Sequence, residues 1–391
     1  MALTKIKTGS VSDSIGLTTP DINGGTIDAT VIGGGTPAAA TFTTASDASG
    51  NVRSGRKNLI INGDMRISQR GTSTTGITSS ASGFFAADRV KFFNAGGVGP
   101  TYTVTQENNG VAGFSSSYKI QTTTADTSLP ASHYSILRLG LIEGQDLLGL
   151  EYGTGSAKAL TLSFWVKSNK TGSQTILGVT HSSMQQQNKQ TFTINNANTW
   201  EKKEITFAGN TATAMTDITT MGLSIDILLA AGSSYRGGTA PLNVWGSRTS
   251  ADKAVDTLDI ASSTSDYFQI TGVQLEVGSV ATEFEHRSYG EELALCQRYY
   301  QTNNFTDLVM GNYSLRNAYV AIPLITTMRS APTVVPTSSQ TYSSGASHTD
   351  ATLSSRNPRV SSLNFYVVHT SNIVQGNTTL AYVSFTADAE L

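Results

Sequence analysis

Cysteine, histidine, tryptophan and charge are all scarce in this chain of 391 residues, and each shortage removes a class of function. The single thiol, Cys296, leaves no intrachain disulfide, so the fold has to rest on burial and backbone pairing. Five histidines, His133, His181, His286, His348 and His369, never stand at a His-x-x-x-His spacing, and no Cys-x-x-Cys occurs; no metal site is expected. Charged residues make up 14% of the chain with a formal net charge of −2, which offers nucleic acid no basic surface. No apolar run reaches membrane-spanning length, and Met1 to Lys7 lacks the apolar core of a signal peptide. Neither membrane insertion nor secretory export is therefore expected.

Catalytic signatures are missing too. There is no Gly-x-Ser-x-Gly elbow and no Walker-type loop. A glycosidase needs two carboxylates about 5 to 9.5 Å apart. The candidate groups, Asp256 with Asp259 and Glu276 with Glu283 and Glu285, sit beside turns, where carboxylates ordinarily solvate loops. No periodic repeat of the β-helical kind is found. The expectation is a protein without enzymatic activity and without a cofactor.

What the chain has in quantity is glycine, serine and threonine, a bias that favours short strands joined by turns. Its most informative stretch runs from Asp266 to Gln301. Phe268, Ile270, Val273, Leu275 and Val277 alternate with polar residues, with a shift of phase at Gly272, as in a half-buried strand. From Ser288 the period becomes helical, with Tyr289, Leu293, Cys296 and Tyr300 on one stripe and Glu291 and Glu292 in the first turn. Further strands are expected at Tyr102–Thr105, Tyr118–Gln121, Tyr134–Leu141, Leu160–Lys167, Phe192–Phe207 and Met221–Leu229. In Leu160–Lys167, Leu160, Leu162, Phe164 and Val166 share one face, and Trp165 points the other way. After the helix, strands are expected at Ala318–Ile325, Ala331–Val335, Leu363–His369 and Leu380–Thr386.

Several motifs carry a family resemblance. Asn58-Leu59-Ile60-Ile61-Asn62-Gly63-Asp64-Met65-Arg66-Ile67-Ser68-Gln69-Arg70-Gly71 resembles the opening of galactose-binding-like jelly rolls, common among carbohydrate-binding modules. It also resembles a motif of a bacteriophage tail-fibre family, in which an aromatic stretch and Asp-Arg-Trp follow. Here Gly83-Phe84-Phe85-Ala86-Ala87-Asp88-Arg89-Val90 stands in that place, with Val90 where the family has tryptophan. Asp88 and Arg89, as neighbours, are expected to cap a loop or bridge strands rather than to pair with each other. Leu162-Ser163-Phe164-Trp165-Val166-Lys167 and the Thr199-Trp200 turn resemble the middle strands of the same jelly rolls. Met328 to Thr333 and the ending Ala387-Asp388-Ala389-Glu390-Leu391 again resemble the tail-fibre family.

The glycine-rich run from Gly25 to Thr44, in which Ile27, Val31 and Phe42 are candidate trimer-interface residues, resembles shaft or attachment segments of virion proteins. The organisation expected is mainly β. An extended attachment segment covers residues 1–55 and a jelly-roll β-sandwich residues 56–287; a linking helix (288–301) and a smaller C-terminal β-sandwich (302–391) follow. The resemblance implies a homotrimeric tail fibre located on the virion. It would bind neighbouring tail or head proteins through its N-terminal segment, and polysaccharide or lipopolysaccharide of a host surface elsewhere. A purely structural virion protein and a glycan-degrading tail enzyme are the alternatives. Glycan-binding candidates are the loop residues Tyr235, Arg236, Trp245 and Arg248, with Tyr342 and His348 in the last domain, because sugars need an aromatic face ringed by polar groups. Leu293, Cys296 and Tyr300 are the trimer-interface candidates on the helix, and a structural Ca²⁺ has no ligand spacing to support it.

Overall fold

The computed structural model describes residues 56–181, 185–314, 317–343, 346–348, 352–356, 358–368 and 378–391. Ile27, Val31 and Phe42 lie outside the described residues. The chain runs through β1 (Ser73–Ile77), β2 (Ala81–Phe84), β3 (Lys91–Ala95), β4 (Thr101–Glu107), β5 (Ser117–Thr124) and β6 (Tyr134–Glu143); β3 and β4 alternate buried and part-exposed side chains, and β6 is buried along nearly its whole length. Then come β7 (Leu160–Ser168), β8 (Gly172–Thr180), β9 (Gln186–Ile194), β10 (Glu201–Phe207), β11 (Met221–Ala231), β12 (Trp245–Ser247) and β13 (Tyr267–Val277). Helix α1 (Tyr289–Gln297) follows. The last strands are β14 (Tyr300–Ser314), β15 (Asn317–Pro323), β16 (Thr333–Ser343), β17 (Ala346–His348), β18 (Thr352–Arg356), β19 (Ser362–Val368) and β20 (Thr378–Asp388).

The first thirteen strands form two antiparallel sheets. Sheet A has the order β1-β4-β5-β13-β7-β10 and sheet B the order β12-β9-β8-β11-β6-β3-β2. Their inner faces interdigitate in one core that includes Phe92, Tyr102, Tyr118, Phe164, Phe207 and Phe268, each almost fully excluded from solvent. This is a jelly-roll β-sandwich. Strand β7 buries Leu160, Leu162, Phe164 and Val166 and turns Trp165 outward, as the alternation requires.

The phase shift read at Gly272 is a bulge. The pairing of β13 with β7 slips between Thr271 and Gln274, and Gly272 has φ +60°. A side chain there would fall 2.7 Å from the Phe114 ring, so only glycine lets Phe114 lie against the strand. The opening motif packs on the same place without forming a strand. Asn58, fully buried, accepts hydrogen bonds through Oδ1 from the N–H groups of Ile60 (2.9 Å) and Leu275 (3.1 Å) and donates Nδ2 to the Val273 carbonyl (3.1 Å). Gly63 lies so close to the Val273 carbonyl that a Cβ would stand 2.1 Å from its oxygen.

Helix α1 starts where the period changes, capped by Ser288, whose side chain accepts from the Glu291 N–H. It ends sooner than the stripe suggested, and Tyr300 begins β14. Sheet C, with order β17-β16-β20-β14-β15-β19-β18, is one antiparallel sheet curled so that β16 approaches β18. It wraps a separate core around Met310, Ile322, Leu363, Phe365 and Phe385.

Sheet C is fastened to the sandwich by buried charge. Arg70 reaches Asp88 (3.6 Å), Asp388 (3.3 Å) and Glu390 (3.3 Å) and lies 3.5 Å over the Tyr300 ring. Arg89 pairs with Glu390, donates to the Leu141 carbonyl and covers the Tyr299 ring at 3.4 Å. Glu143 accepts from Nε and Nη2 of Arg298, at 2.8 and 2.9 Å, and from the Tyr299 hydroxyl at 2.7 Å. Asp88 and Arg89 therefore do bridge elements rather than each other. Segments far apart in sequence, around Arg70, Arg89, Arg329 and Glu390, meet at this one junction.

Candidate functional site

Outward-facing residues of sheet A stand in register across three strands. Trp165 on β7 is opposite Lys202 on β10 and Thr271 on β13, and Ser163 is opposite Glu204 and Gln274. The loop between β4 and β5 brings Phe114 over this face, and the segment after β13 brings Phe284 and His286. Phe114 meets Phe284 edge-on at 4.9 Å, and His286 lies 5.4 Å from Phe114 and 4.9 Å from Phe284. The three rings form one wall of an open groove of about 510 Å³ whose floor is Ser163, Trp165 and Gly272 and whose other rim is Lys202. Thr282 and Glu283 close its end.

The wall is held by buried polar groups of β13. Glu276 accepts from the Thr282 N–H and hydroxyl, both at 2.8 Å. Gln274 donates to the Thr282 (3.3 Å) and Glu283 (3.2 Å) carbonyls and accepts from the Glu285 N–H (2.8 Å). Glu285 accepts the backbone N–H groups of Lys57 (3.2 Å) and Asn58 (2.9 Å) and pairs with Arg287 (3.0 Å). Burial pushes its carboxyl up, but those two N–H groups and Arg287 outweigh it and hold the carboxyl below the usual range. Glu276 and Glu285 are thus committed to fixing the segment that carries Phe284 and His286.

Trp165 is the half-buried aromatic at the centre of the groove, and its indole N–H has no hydrogen-bond partner among the described residues. A flat apolar face with its own indole N–H, the Lys202 and Glu204 ion pair (2.9 Å) at the rim and a fixed aromatic wall give the groove the means to hold a ring-shaped polar ligand edge and face together.

The residues singled out in the sequence lie elsewhere. Trp245 begins β12; its indole donates to the Ala208 carbonyl (2.6 Å) and packs edge-on against Tyr152 (5.8 Å). Arg236 is anchored on the Ala231 carbonyl (2.8 Å) and the Thr257 hydroxyl (2.5 Å). Tyr235 and Arg248 belong to the segment laid across the outer face of sheet B, where Tyr235 meets Tyr134 edge-on at 5.1 Å and Arg248 donates to Gln185 (3.1 Å). That segment seals a second small core of Ile136, Leu177, Val179, Leu228 and Ala254. Tyr342 in β16 pairs with Ser347 in β17, and His348 with Thr341; the side chains of Tyr342 and His348 lie outside the described residues. Cys296 and Tyr300 are buried inside the chain and so offer nothing to a surface between copies; Leu293 is half-buried.

Sequence reasoning missed the groove as a site. The outward turn of Trp165 was legible from alternation, but nothing local places Phe114, Phe284 and His286 beside it.

No protein-family model and no curated protein matches the chain. Solved structures similar to it include the enzymatically active domain of tailspike protein 4 of bacteriophage CBA120, at 13% identity and a TM-score of 0.31. That match covers 58% of this chain and 22% of the tailspike chain, so this chain spans about a fifth of it. A sugar-binding protein of Bacteroides thetaiotaomicron, so described provisionally, is similar at 12% identity and a TM-score of 0.32, over 56% of this chain and all of that one. The family 11 carbohydrate-binding module of a cellulosomal cellulase of Clostridium thermocellum is similar at 11% identity and a TM-score of 0.27, over 55% of this chain and 98% of that one. The jelly-roll sandwich itself is read from the strand order and register above.

Proposed function

We propose that this chain is a virion fibre protein of a bacteriophage, homotrimeric, that attaches to host-surface glycans without catalysis through the groove on sheet A. The observation that supports it most is Trp165 on the floor of that groove, its N–H unspent, beside the wall of Phe114, Phe284 and His286. Stacking of a sugar ring on such a face, with hydroxyls reaching Ser163, Lys202 and Glu283, needs no bond to be broken. Three weak sites on one rigid particle act at high effective concentration, so millimolar affinity suffices for attachment.

Trp165→Ala is expected to weaken binding of the full chain to neutral surface polysaccharide by about tenfold or more, because the stacking platform is lost. Retention of the full chain on immobilised bacterial polysaccharides, with free sugars as competitors, measures this. Equal retention of the wild type and the variant on every polysaccharide that binds would remove the groove from the attachment function.

A further inference from the structure

The outer face of sheet B gathers positive charge that the described residues neutralise only in part. In one row across the sheet, Lys91 is opposite Arg138, Arg138 is opposite Asp226, Asp226 is opposite Leu177 and Leu177 is opposite Lys189. Asp226 is fully committed. The Arg138 guanidinium grips it with two bonds of 2.7 Å, and the Ser224 hydroxyl donates to it at 3.2 Å. Lys189 is answered by Asp252 (3.7 Å), whose oxygens also hold the Ala240 N–H and the Thr249 hydroxyl. Lys91 turns towards the Leu391 carbonyl (3.3 Å).

Two cations are left over. The segment laid over this face contributes Arg248 and Lys253, both half-buried, and neither has a carboxylate within 4.0 Å among the described residues. The Arg248 Nε is buried without a hydrogen-bond partner. Lys253 places its ammonium 4.7 Å over the Tyr235 ring and 5.7 Å over the Tyr134 ring, and those rings meet edge-on. Burial and the neighbouring cations hold both Arg248 and Lys253 below their usual pKa ranges, with Asp226 offsetting only in part. Two half-buried cations, Lys253 held over two aromatic rings and Arg248 bonded, among the described residues, only to Gln185, with Asp226 already gripped by Arg138, cost free energy in the free protein, and a bound anion recovers it.

We propose that Arg248 and Lys253, with Tyr134 and Tyr235 beside them, form a second glycan site that takes the anionic group of an acidic sugar, a carboxylate or a phosphate ester. The site rests on the reading of the chain as a glycan binder but not on the sheet A groove. The guanidinium and ammonium hold the anion, and the tyrosine pair faces the sugar ring that carries it.

Calorimetric titration of the full chain tests this with three probes: a trimer of galacturonic acid, the neutral trimer of galactose, and glucose phosphate. At least one acidic probe is expected to bind and to lose affinity by about tenfold with either Arg248→Gln or Lys253→Gln. Its affinity should also fall as salt is raised, and Arg248→Lys, which keeps the charge, should retain most of it. Binding of glucose phosphate alone supports the site and assigns the anion as phosphate; binding of the galacturonate trimer alone assigns it as carboxylate. Three outcomes overturn the proposal: neither acidic probe binds, the neutral trimer responds to both substitutions as strongly as the acidic ones, or the acidic probe is lost with Trp165→Ala and kept with Arg248→Gln and Lys253→Gln. Failure of the groove reading is separate, because it appears with neutral polysaccharide and Trp165→Ala alone.

Discussion

The buried ionisable side chains of the sandwich show how one residue sets a pH limit. His181 hydrogen-bonds the Ser224 hydroxyl (3.0 Å) under the same surface as Arg138, Asp226 and Arg248. Burial, then repulsion from Arg138, with Asp226 offsetting and Arg248 adding to it, pushes its pKa down to about 4. The folded value lies below the unfolded one, so the native state prefers the neutral ring. The stability this confers is present above about pH 6.5 and is lost as pH falls towards 4, by at most about 3 kcal/mol. Asp88 and Glu390, raised by burial, run the opposite way, and a substitution at His181 leaves them untouched. His181→Gln should therefore flatten the fall in denaturation midpoint between pH 6.5 and 4 relative to the wild type. Parallel profiles for the two proteins would show that His181 is not the group responsible.

At the level of elements, legibility followed local rules. Strands β7 and β13 were read from alternation, α1 from its apolar stripe and acidic first turn, and the place of the bulge from a shift of phase at one glycine. Strand β8 was not, because Gly172, Ser173, Gln174 and Thr175 look like a turn until Gln174 is seen buried, donating to the Thr175 carbonyl and to that of Leu228. The end of the helix stripe was misread because Tyr300 continues the helical spacing, yet it begins β14 and, with Tyr299, serves as a platform for Arg70 and Arg89. That junction also carries a prediction. Arg89 is 3% exposed and Glu390 5% exposed, so Arg89→Ala leaves the buried Glu390 carboxylate with Arg70 alone, at 3.3 Å, and should cost about 3 kcal/mol. Replacing both, Arg89→Met with Glu390→Leu, removes the charge and should cost far less. Chemical denaturation followed by tyrosine and tryptophan fluorescence separates these; equal losses for the single and the double variant would exclude the pair as the fastening.

For the whole molecule, the groove illustrates why a site can be invisible in a sequence whose fold is readable. Phe114 and Phe284 are 170 positions apart, and only the bulge at Gly272 and the buried pair Gln274 and Glu276 bring them together. The same scale decides how copies associate. With Cys296 and Tyr300 spent inside the chain, the stripe of the helix keeps only Tyr289 and the half-buried Leu293 at the surface, so the proposed trimer should depend chiefly on residues 1–55. Light scattering of the full chain should give about three times its 41.2 kDa mass, and a chain beginning at residue 56 should give one. A trimer that survives that truncation would put the contact back on the described surface.

The position of Asn58 has a mechanical consequence. The chain enters the sandwich at Lys57 and Asn58 and leaves it at Glu285 and Arg287, and these are bonded directly: both backbone N–H groups to Glu285, the Asn58 and Ile60 carbonyls to Arg287. Arg287 in turn holds Glu292 of the helix (3.2 Å). Tension applied at residue 56 is therefore handed across a few ångströms to the helix that precedes sheet C, and the thirteen strands between hang beside that line rather than along it. A chain built this way can be pulled between residue 56 and the helix without unzipping the sheet whose face holds Trp165.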